Sequence, residues 1–514
     1  MKFMKIGTRP DTFYTEDGTR TISSDVPSDL TIKINNMAYH LHKDPLLPKC
    51  GLLQRLVSNR AQDPDDDISL ELHDTPGGEE AFEACAKFCY GITINVSARN
   101  FVPLFCAAKF LRMTGAFEKG NLVPKLEAFF ASCVLKGWKD SIFALETTPK
   151  LAEWAENLGV VRKCTDSVVE KILTPPAEVR WSYTYTRHRR GKTRRGAKSP
   201  PPRDWWTEDL SALDIDLFKC TLTAVKSSGA FPPQLIGEAI HVYATRKLPD
   251  ATKTTRFSPS TSSRNPQAIL ETIVDLIPTE AGSVSLRFLL RLLSAANHLG
   301  ASPATKEQLL RRSGEQLPEA RVSDLLVPAP LQPEEDGNWG LETDTAQTDG
   351  RRGRDIELVG VVLESFLRQW RRGRQLGSGG EEESDQRLRS IRKVGRLIDC
   401  YVGVLARDRP RVPVEKLVFL ASAVPDIGRP LHDELYHAVN TYLKVHPELS
   451  KAEKKRLCRV LDCRKLSPEV RAHAVRNERL PLRTVVQVLY FEQERGAQLH
   501  ARPRAADEKD GSGS

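Results

Sequence analysis

Residues 454–475, KKRLCRVLDCRKLSPEVRAHAV, gather the side chains most suited to chemistry: Cys458 and Cys463 five apart among lysines and arginines, with His473 ten residues beyond the second cysteine. A structural zinc needs four converging ligands, and a reactive thiol needs surroundings that favour the thiolate. This block supplies two thiols and one histidine. The residues around them describe helices instead. Ser450-Lys451-Ala452-Glu453 is a capping box, in which the hydroxyl accepts from the amide of Glu453 while the carboxylate reaches back to the amide of Ser450. Leu457, Cys458, Val460 and Leu461 then crowd one side of the helix, and Lys454, Lys455 and Arg459 stay wet. Ser467-Pro468-Glu469 opens a second helix with proline at the first helical position, where its missing amide costs nothing. The spacing therefore predicts Cys458 in a buried stripe and Cys463 in the short joint between two helices.

Other constellations fall short of a site. His40 and His42 share one face of a strand but have no cysteine or carboxylate at ligand spacing. His432 and His437 are five apart, on different helical faces, where the metalloprotease pattern needs four. Neither a phosphate loop, a dinucleotide glycine pattern nor a nucleophile elbow is legible, so no catalytic, cofactor-binding or metal-ligating residue is assigned. A non-catalytic chain with no cofactor and no small-molecule substrate is expected. The ten cysteines form no C-x-x-C pair, as expected for thiols in a reducing compartment.

Composition sets the compartment and the partners. The opening stretch MKFMKIGTRPDTFYTEDG lacks the apolar run of a secretory signal, and nowhere do roughly 20 apolar residues follow one another as a membrane span requires. An intracellular protein is expected, in the cytoplasm or at the plasma-membrane periphery, with the nucleus as an alternative. The sequon Asn95-Val96-Ser97 and the internal HDEL at 432–435 are then not used. The net charge of +9 is concentrated: residues 187–203, RHRRGKTRRGAKSPPPR, hold eight lysines and arginines and no acid. A solvated linker is the plain reading of that run. Its functional alternative is contact with an anionic membrane or a nuclear-import receptor through Arg187, Arg189, Arg190, Lys192, Arg194 and Arg195, weakened by phosphorylation at Ser199-Pro200.

The elements that position these residues fall into two groups along the 514 residues. DLTIKINNMAYHLHK at 29–43 alternates on both sides of Asn35-Asn36, as a hairpin does. PLLPKCGLLQRLVSN has helical spacing, DDDISLEL returns to alternation, and EEAFEACAKFCYG puts Phe82, Cys85, Ala86, Cys89 and Tyr90 on one helical stripe. Amphipathic helices continue through 116–180. Beyond 204, every apolar stripe has helical period, from SLRFLLRLLSAANHL to DELYHAVNTYLKVHP. Three stretches rich in Gly, Ser, Pro or charge, at 251–266, 328–354 and 377–386, are expected to be mobile loops.

The order of these pieces, with ISLEL, FEACAKFCYG and AAKFLRM, resembles the plant subgroup of BTB/POZ domains. The blocks DWWTEDLSALDIDLFKCTLTAVKSSG, KVGRLIDCYV, RPLHDELYHAVNTYLKVHP and LCRVLDCRKLSPEVRAHAVRNERLPLRTVVQVLYFEQ resemble the second domain of the non-phototropic-hypocotyl-three (NPH3) family. The resemblance implies an α+β N-terminal BTB/POZ domain followed by a mainly α-helical NPH3 domain with disordered loops. The boundaries drawn are 1–27 for an N-terminal extension, 28–97 for BTB/POZ, 98–180 for a helical extension, 181–203 for a basic linker, 204–495 for NPH3 and 496–514 for a short disordered tail. It further implies a substrate-specific adaptor for a cullin-3 ubiquitin ligase in plant signalling. The BTB domain would bind the cullin-3 scaffold and form a homo- or heterodimer, and the NPH3 domain would recruit an unknown protein substrate. The rival reading is a signalling scaffold for a phototropin-type receptor kinase or auxin-transport machinery, without ubiquitin transfer. The family's tyrosine phosphorylation block falls on Tyr436 and Tyr442, whose alternative role is packing in a helix core. The chain ends about twenty residues past Phe491-Glu492-Gln493, so the long tail of some relatives is not expected here.

Overall fold

The structure is a computed structural model that describes residues 2–16, 18–60, 68–187, 201–249, 265–329, 354–375, 381–408 and 412–500. The chain divides into two compact units, residues 1–246 with 276–278, and residues 247–275 with 279–514.

The first unit carries seven strands: β1 (Phe3–Ile6), β2 (Phe13–Glu16), β3 (Thr19–Ile22), β4 (Leu30–Ile34), β5 (Met37–Leu41), β6 (Ile68–Glu71) and β7 (Ile94–Ser97). Five form a sheet in the order β2-β3-β5-β4-β6, and β1 pairs with β7. Leu30, Ile32 and Ile34 of β4 are buried and Lys33 is exposed, the alternation that a half-buried strand requires. Ile34 stands opposite Met37, which leaves Asn35-Asn36 as the turn, with Asn35 at φ +51°, a left-handed conformation that asparagine tolerates. β6 joins β4 in parallel, Leu30 opposite Ile68. Residues 1–27, set apart above as an extension, contribute three strands: β3 lies parallel to β5, and β1 antiparallel to β7. These strands are four residues long and mostly exposed or half-buried, so their hydrophobic alternation is too weak to read.

Helices cover the sheet. Gly78–Cys89 buries Phe82, Cys85, Ala86 and Cys89, the stripe its spacing predicts. Phe101–Phe110 is apolar nearly all round and buried accordingly, with the Phe101 ring stacked against both Phe105 and Phe130 at 5.3 and 5.0 Å between centroids. Leu122–Phe129, Trp138–Thr147, Ala152–Asn157 and Val160–Leu173 follow. The compact unit runs past the boundary drawn at 204. Trp205 and Trp206 are buried within it, Trp205 meeting Trp138 at 4.6 Å and Trp181 at 5.7 Å, so the segment 181–187 is packed structure.

The second unit is helical throughout its described residues, apart from an isolated bridge between Pro328 and Arg354. Its helix starts obey the capping rules seen in the sequence. Ser285, Ser302, Ser450 and Ser467 each accept a backbone amide, the Ser450 box is complete, and Pro303 and Pro468 occupy first-turn positions. Of the loop expected at 377–386, residues 377–380 lie outside the described residues and the rest is corrected: Glu381–Leu405 is one helix, so EEESDQ forms its first turns. Carboxylates at a helix start complement the helix dipole, and Glu383–Arg387 and Asp385–Arg389 pair across single turns. The other two expected loops lie almost wholly outside the described residues. Glu381–Leu405 packs on Asp433–Val445, and it also carries a buried ion pair. The Arg429 guanidinium meets both oxygens of Asp399 at 2.8–3.0 Å and donates to the carbonyl of Ala421. Burial pushes the Asp399 carboxyl up to about 6, against the pull of Arg429.

Candidate functional site

The cysteines and histidines singled out by spacing are occupied with packing and hydrogen bonding. Cys458 and Cys463 are both buried, Cys463 in the short turn Cys463–Lys465 that joins the two helices. Burial pushes the Cys458 thiol up to about 12 and raises that of Cys463, which leaves little thiolate for chemistry. His473 turns to Tyr436. His40 lies 3.1 Å from the Thr31 hydroxyl, while His42 holds the Tyr90 hydroxyl and the carbonyl of Val26. His432 accepts from the amide of Asp462 at 3.1 Å, and burial first, then Arg429 and Lys465, lowers its pKa. Among the described residues no group of three His, Cys, Asp or Glu side chains is placed to hold a metal ion.

Tyr436 and Tyr442 stand on the helix Asp433–Val445 with 0% and 1% of their surface exposed. The Asn477 amide donates to the Tyr436 oxygen at 3.2 Å and to Asn440 Oδ1 at 2.9 Å. That leaves the Tyr436 proton for His473 Nδ1, 2.7 Å away. The network ties Asp433–Val445 to the helix Pro468–Val475 and to Asn477 just beyond it. Burial raises the Tyr436 hydroxyl pKa. Tyr442 donates to the carbonyl of Val412 at 2.6 Å. Neither hydroxyl faces solvent, so transfer of a phosphate to either one requires this helix to open first.

Arg187 departs from the expectation of a free basic run. Its guanidinium pairs with Asp204 at 2.9 Å, with Glu208 at 3.2 Å and with Glu238, and it donates to the Thr207 hydroxyl at 2.6 Å. Three carboxylates surround it and offset its charge. Arg189, Arg190, Lys192, Arg194 and Arg195 lie outside the described residues, as does Ser199-Pro200. The neighbouring backbone is fixed by Glu208 and by the adjacent Asp209: the Thr186 amide donates to Glu208 and the Thr184 amide to Asp209, which also accepts from the Trp138 indole. Spacing could not reveal this knot, because its acids follow the arginine by 17 to 51 residues.

Two cavities open beside these elements in the first unit. One, of about 530 Å³, has Ile142, Phe143 and Val242 with Lys139 and Arg246 at its wall. The other, of about 690 Å³, lies between Gly78–Cys89, Phe101–Phe110 and the turn Thr148–Leu151, with Ala84, Pro103, Leu104 and Leu151 among its lining. Phe143 also carries the Arg99 guanidinium at 4.0 Å over its ring. Both linings mix apolar side chains with charged ones, Lys139, Glu208 and Arg246 in the first and Glu80, Arg99 and Lys150 in the second.

The NPH3 family model matches residues 204–470, a little over half of the 514. That match begins inside the first compact unit, since 204–246 packs there. A BTB/POZ domain-containing protein of Arabidopsis thaliana is 54% identical over 503 residues, spanning 97% of this chain and 86% of its own. The phototropic-responsive NPH3 family protein NPY2 of the same plant is 39% identical over 517 residues, with 97% and 77% covered. Root phototropism protein 3, also of A. thaliana, is 35% identical over 594 residues, with 95% and 76% covered. With a sheet-and-helix first unit, a helical second unit and these likenesses along almost its whole length, the chain belongs to the NPH3 family of plant BTB/POZ domain-containing proteins.

Proposed function

We propose that the protein is a substrate-specific adaptor of a cullin-3 ubiquitin ligase: the first unit holds the scaffold and a second BTB chain, and the helical unit recruits the target. The observation that carries this reading is the family membership, joined to open cavities of mixed apolar and charged lining on a BTB-type unit. An adaptor acts by proximity. It raises the local concentration of a target lysine beside a ubiquitin-loaded enzyme and needs no catalytic side chain of its own. An intracellular location, at the plasma-membrane periphery, in the cytoplasm or in the nucleus, belongs to this reading. So does phosphorylation of Tyr436 or Tyr442 in an opened state.

The test is capture of purified cullin-3 by the immobilised full chain. Binding at micromolar protein supports the ligase reading, and its absence overturns it in favour of the scaffold. That second reading draws on the names of relatives, one phototropic-responsive and one a root phototropism protein, and makes the chain a non-catalytic platform for a receptor kinase or auxin-transport machinery.

A further inference from the structure

In the second unit the helix Val414–Ala423 buries Val414, Leu417, Leu420 and Ala421, yet it turns Phe419 outward with 48% of its surface exposed. The ring has a prepared seat. It lies against Gly360 of the helix Ile356–Gln375, where a Cβ would stand 2.7 Å from Phe419 Cε1. Glycine inside a helix is less favourable than alanine, and here the missing Cβ is what lets the ring approach the backbone. Beside the ring runs a groove of about 690 Å³, floored by Leu367, Val418 and Ala423 and edged by Arg368, Arg371 and Arg456. Val361, 43% exposed, extends the apolar strip on the same helical face as Glu364 and Arg368. A large aromatic ring and a valine left in water next to an apolar trough mark a contact surface.

Its charge says what fits. Arg456 is committed to Glu415, whereas Arg368 and Arg371 make no ion pair with any described residue. Glu364 is the one acid of the lining that remains against those two cations. We propose that this groove docks a partner protein through a short acidic segment bearing a bulky apolar anchor: the anchor sits against Phe419 and Leu367, and flanking carboxylates meet Arg368 and Arg371. This rests on the reading that the helical unit captures a partner, and it names the surface and the chemistry of that capture.

The experiment selects a random displayed peptide library on the immobilised full chain, then measures the enriched peptides against variants. Enrichment of sequences with an aromatic or aliphatic anchor beside Asp or Glu is expected. Phe419→Ala should weaken them about 10- to 30-fold, as loss of an anchor contact does. Arg368→Glu with Arg371→Glu should weaken them about 10-fold and flatten their salt dependence. Both sites are at the surface, and unchanged circular dichroism melting confirms folded variants. Enrichment of basic or uncharged peptides, no enrichment, or affinity indifferent to these substitutions overturns the proposal. So does a change of sedimentation coefficient in Phe419→Ala, which assigns the groove to a second copy of the chain. Loss of binding to phosphatidylserine vesicles by the arginine variant would assign it to a membrane and likewise overturn it. A chain that captures cullin-3 but enriches no such peptide defeats this inference alone.

Discussion

Replacing Tyr436 by phenylalanine removes one oxygen from a buried network and leaves the ring in place. Asn477 keeps its contact with Asn440 at 2.9 Å but its second amide N–H loses the Tyr436 oxygen at 3.2 Å, and His473 Nδ1 loses the hydroxyl 2.7 Å away. One hydrogen bond is worth about 1 kcal/mol net, and a buried donor left unpaired costs about 1–3 kcal/mol, which puts the change near 1–2 kcal/mol because water can replace the hydroxyl at the exposed His473 ring but not at the buried Asn477 amide. The effect is local, on the joint between Asp433–Val445 and Pro468–Val475. Amide hydrogen exchange of the intact chain is therefore the assay, since it reads the opening of one helix without a global two-state assumption. Exchange from 433–445 should accelerate about 5- to 30-fold in Tyr436→Phe, with the sheet amides of β4 and β5 unchanged. The same opening limits a kinase: native chain should be phosphorylated on Tyr436 far more slowly than an unfolded peptide of the same sequence, and more readily after Asn477→Ala. Exchange that is unmoved within a factor of about 2, or native chain modified as fast as the peptide, would refute the buried network.

Three further outcomes follow from named contacts. Arg187→Ala should release the 183–187 segment, seen as faster limited proteolysis there, at a modest cost of about 1 kcal/mol because the guanidinium is partly exposed; binding to anionic vesicles should not fall, since three carboxylates already occupy this arginine. Asp399, raised to about 6 in the folded state, keeps its proton between about pH 4 and that value while the unfolded chain releases it. Its contribution to stability thus declines across that window, by up to about 3 kcal/mol, and is level above it; urea unfolding of wild type against Asp399→Asn should show the wild type losing ground as pH rises from about 4 to 6. Gly395→Ala adds a Cβ that collides with the carbonyl of Gly428, a backbone atom that has no rotamer to escape by. The variant should melt several degrees lower even though alanine is the better helix former by about 1 kcal/mol.

The elements with strong local signals were legible in the chain. The β4–β5 hairpin rests on alternation around Asn35-Asn36, Gly78–Cys89 on a stripe at helical spacing, and Lys451–Cys458 on a serine and a glutamate three residues apart. Each is decided within about ten residues, the range over which periodicity and capping act. The family resemblance was legible for the same reason, since its wording is carried in contiguous blocks. β1, β2 and β3 were not. Four residues with few buried side chains become strands only because another strand's backbone stands beside them to be paired. EEESDQ at 381–386 has the composition of a linker, while its helix is held by the packed residues downstream.

The site lies further still from what local pattern can say. Order of types along the chain determined the class of fold, the helix starts and the buried fate of Cys458, because those follow from hydrogen bonding and burial within a few turns. Only the tertiary structure decided that Arg187 is neutralised by Asp204, Glu208 and Glu238, that Tyr436 shares its proton with His473, and that Phe419 lies against Gly360 beside two arginines that make no ion pair among the described residues. Such contacts join residues up to 59 positions apart across helices whose mutual packing depends on side-chain volume and charge in three dimensions, and no spacing along one chain encodes that.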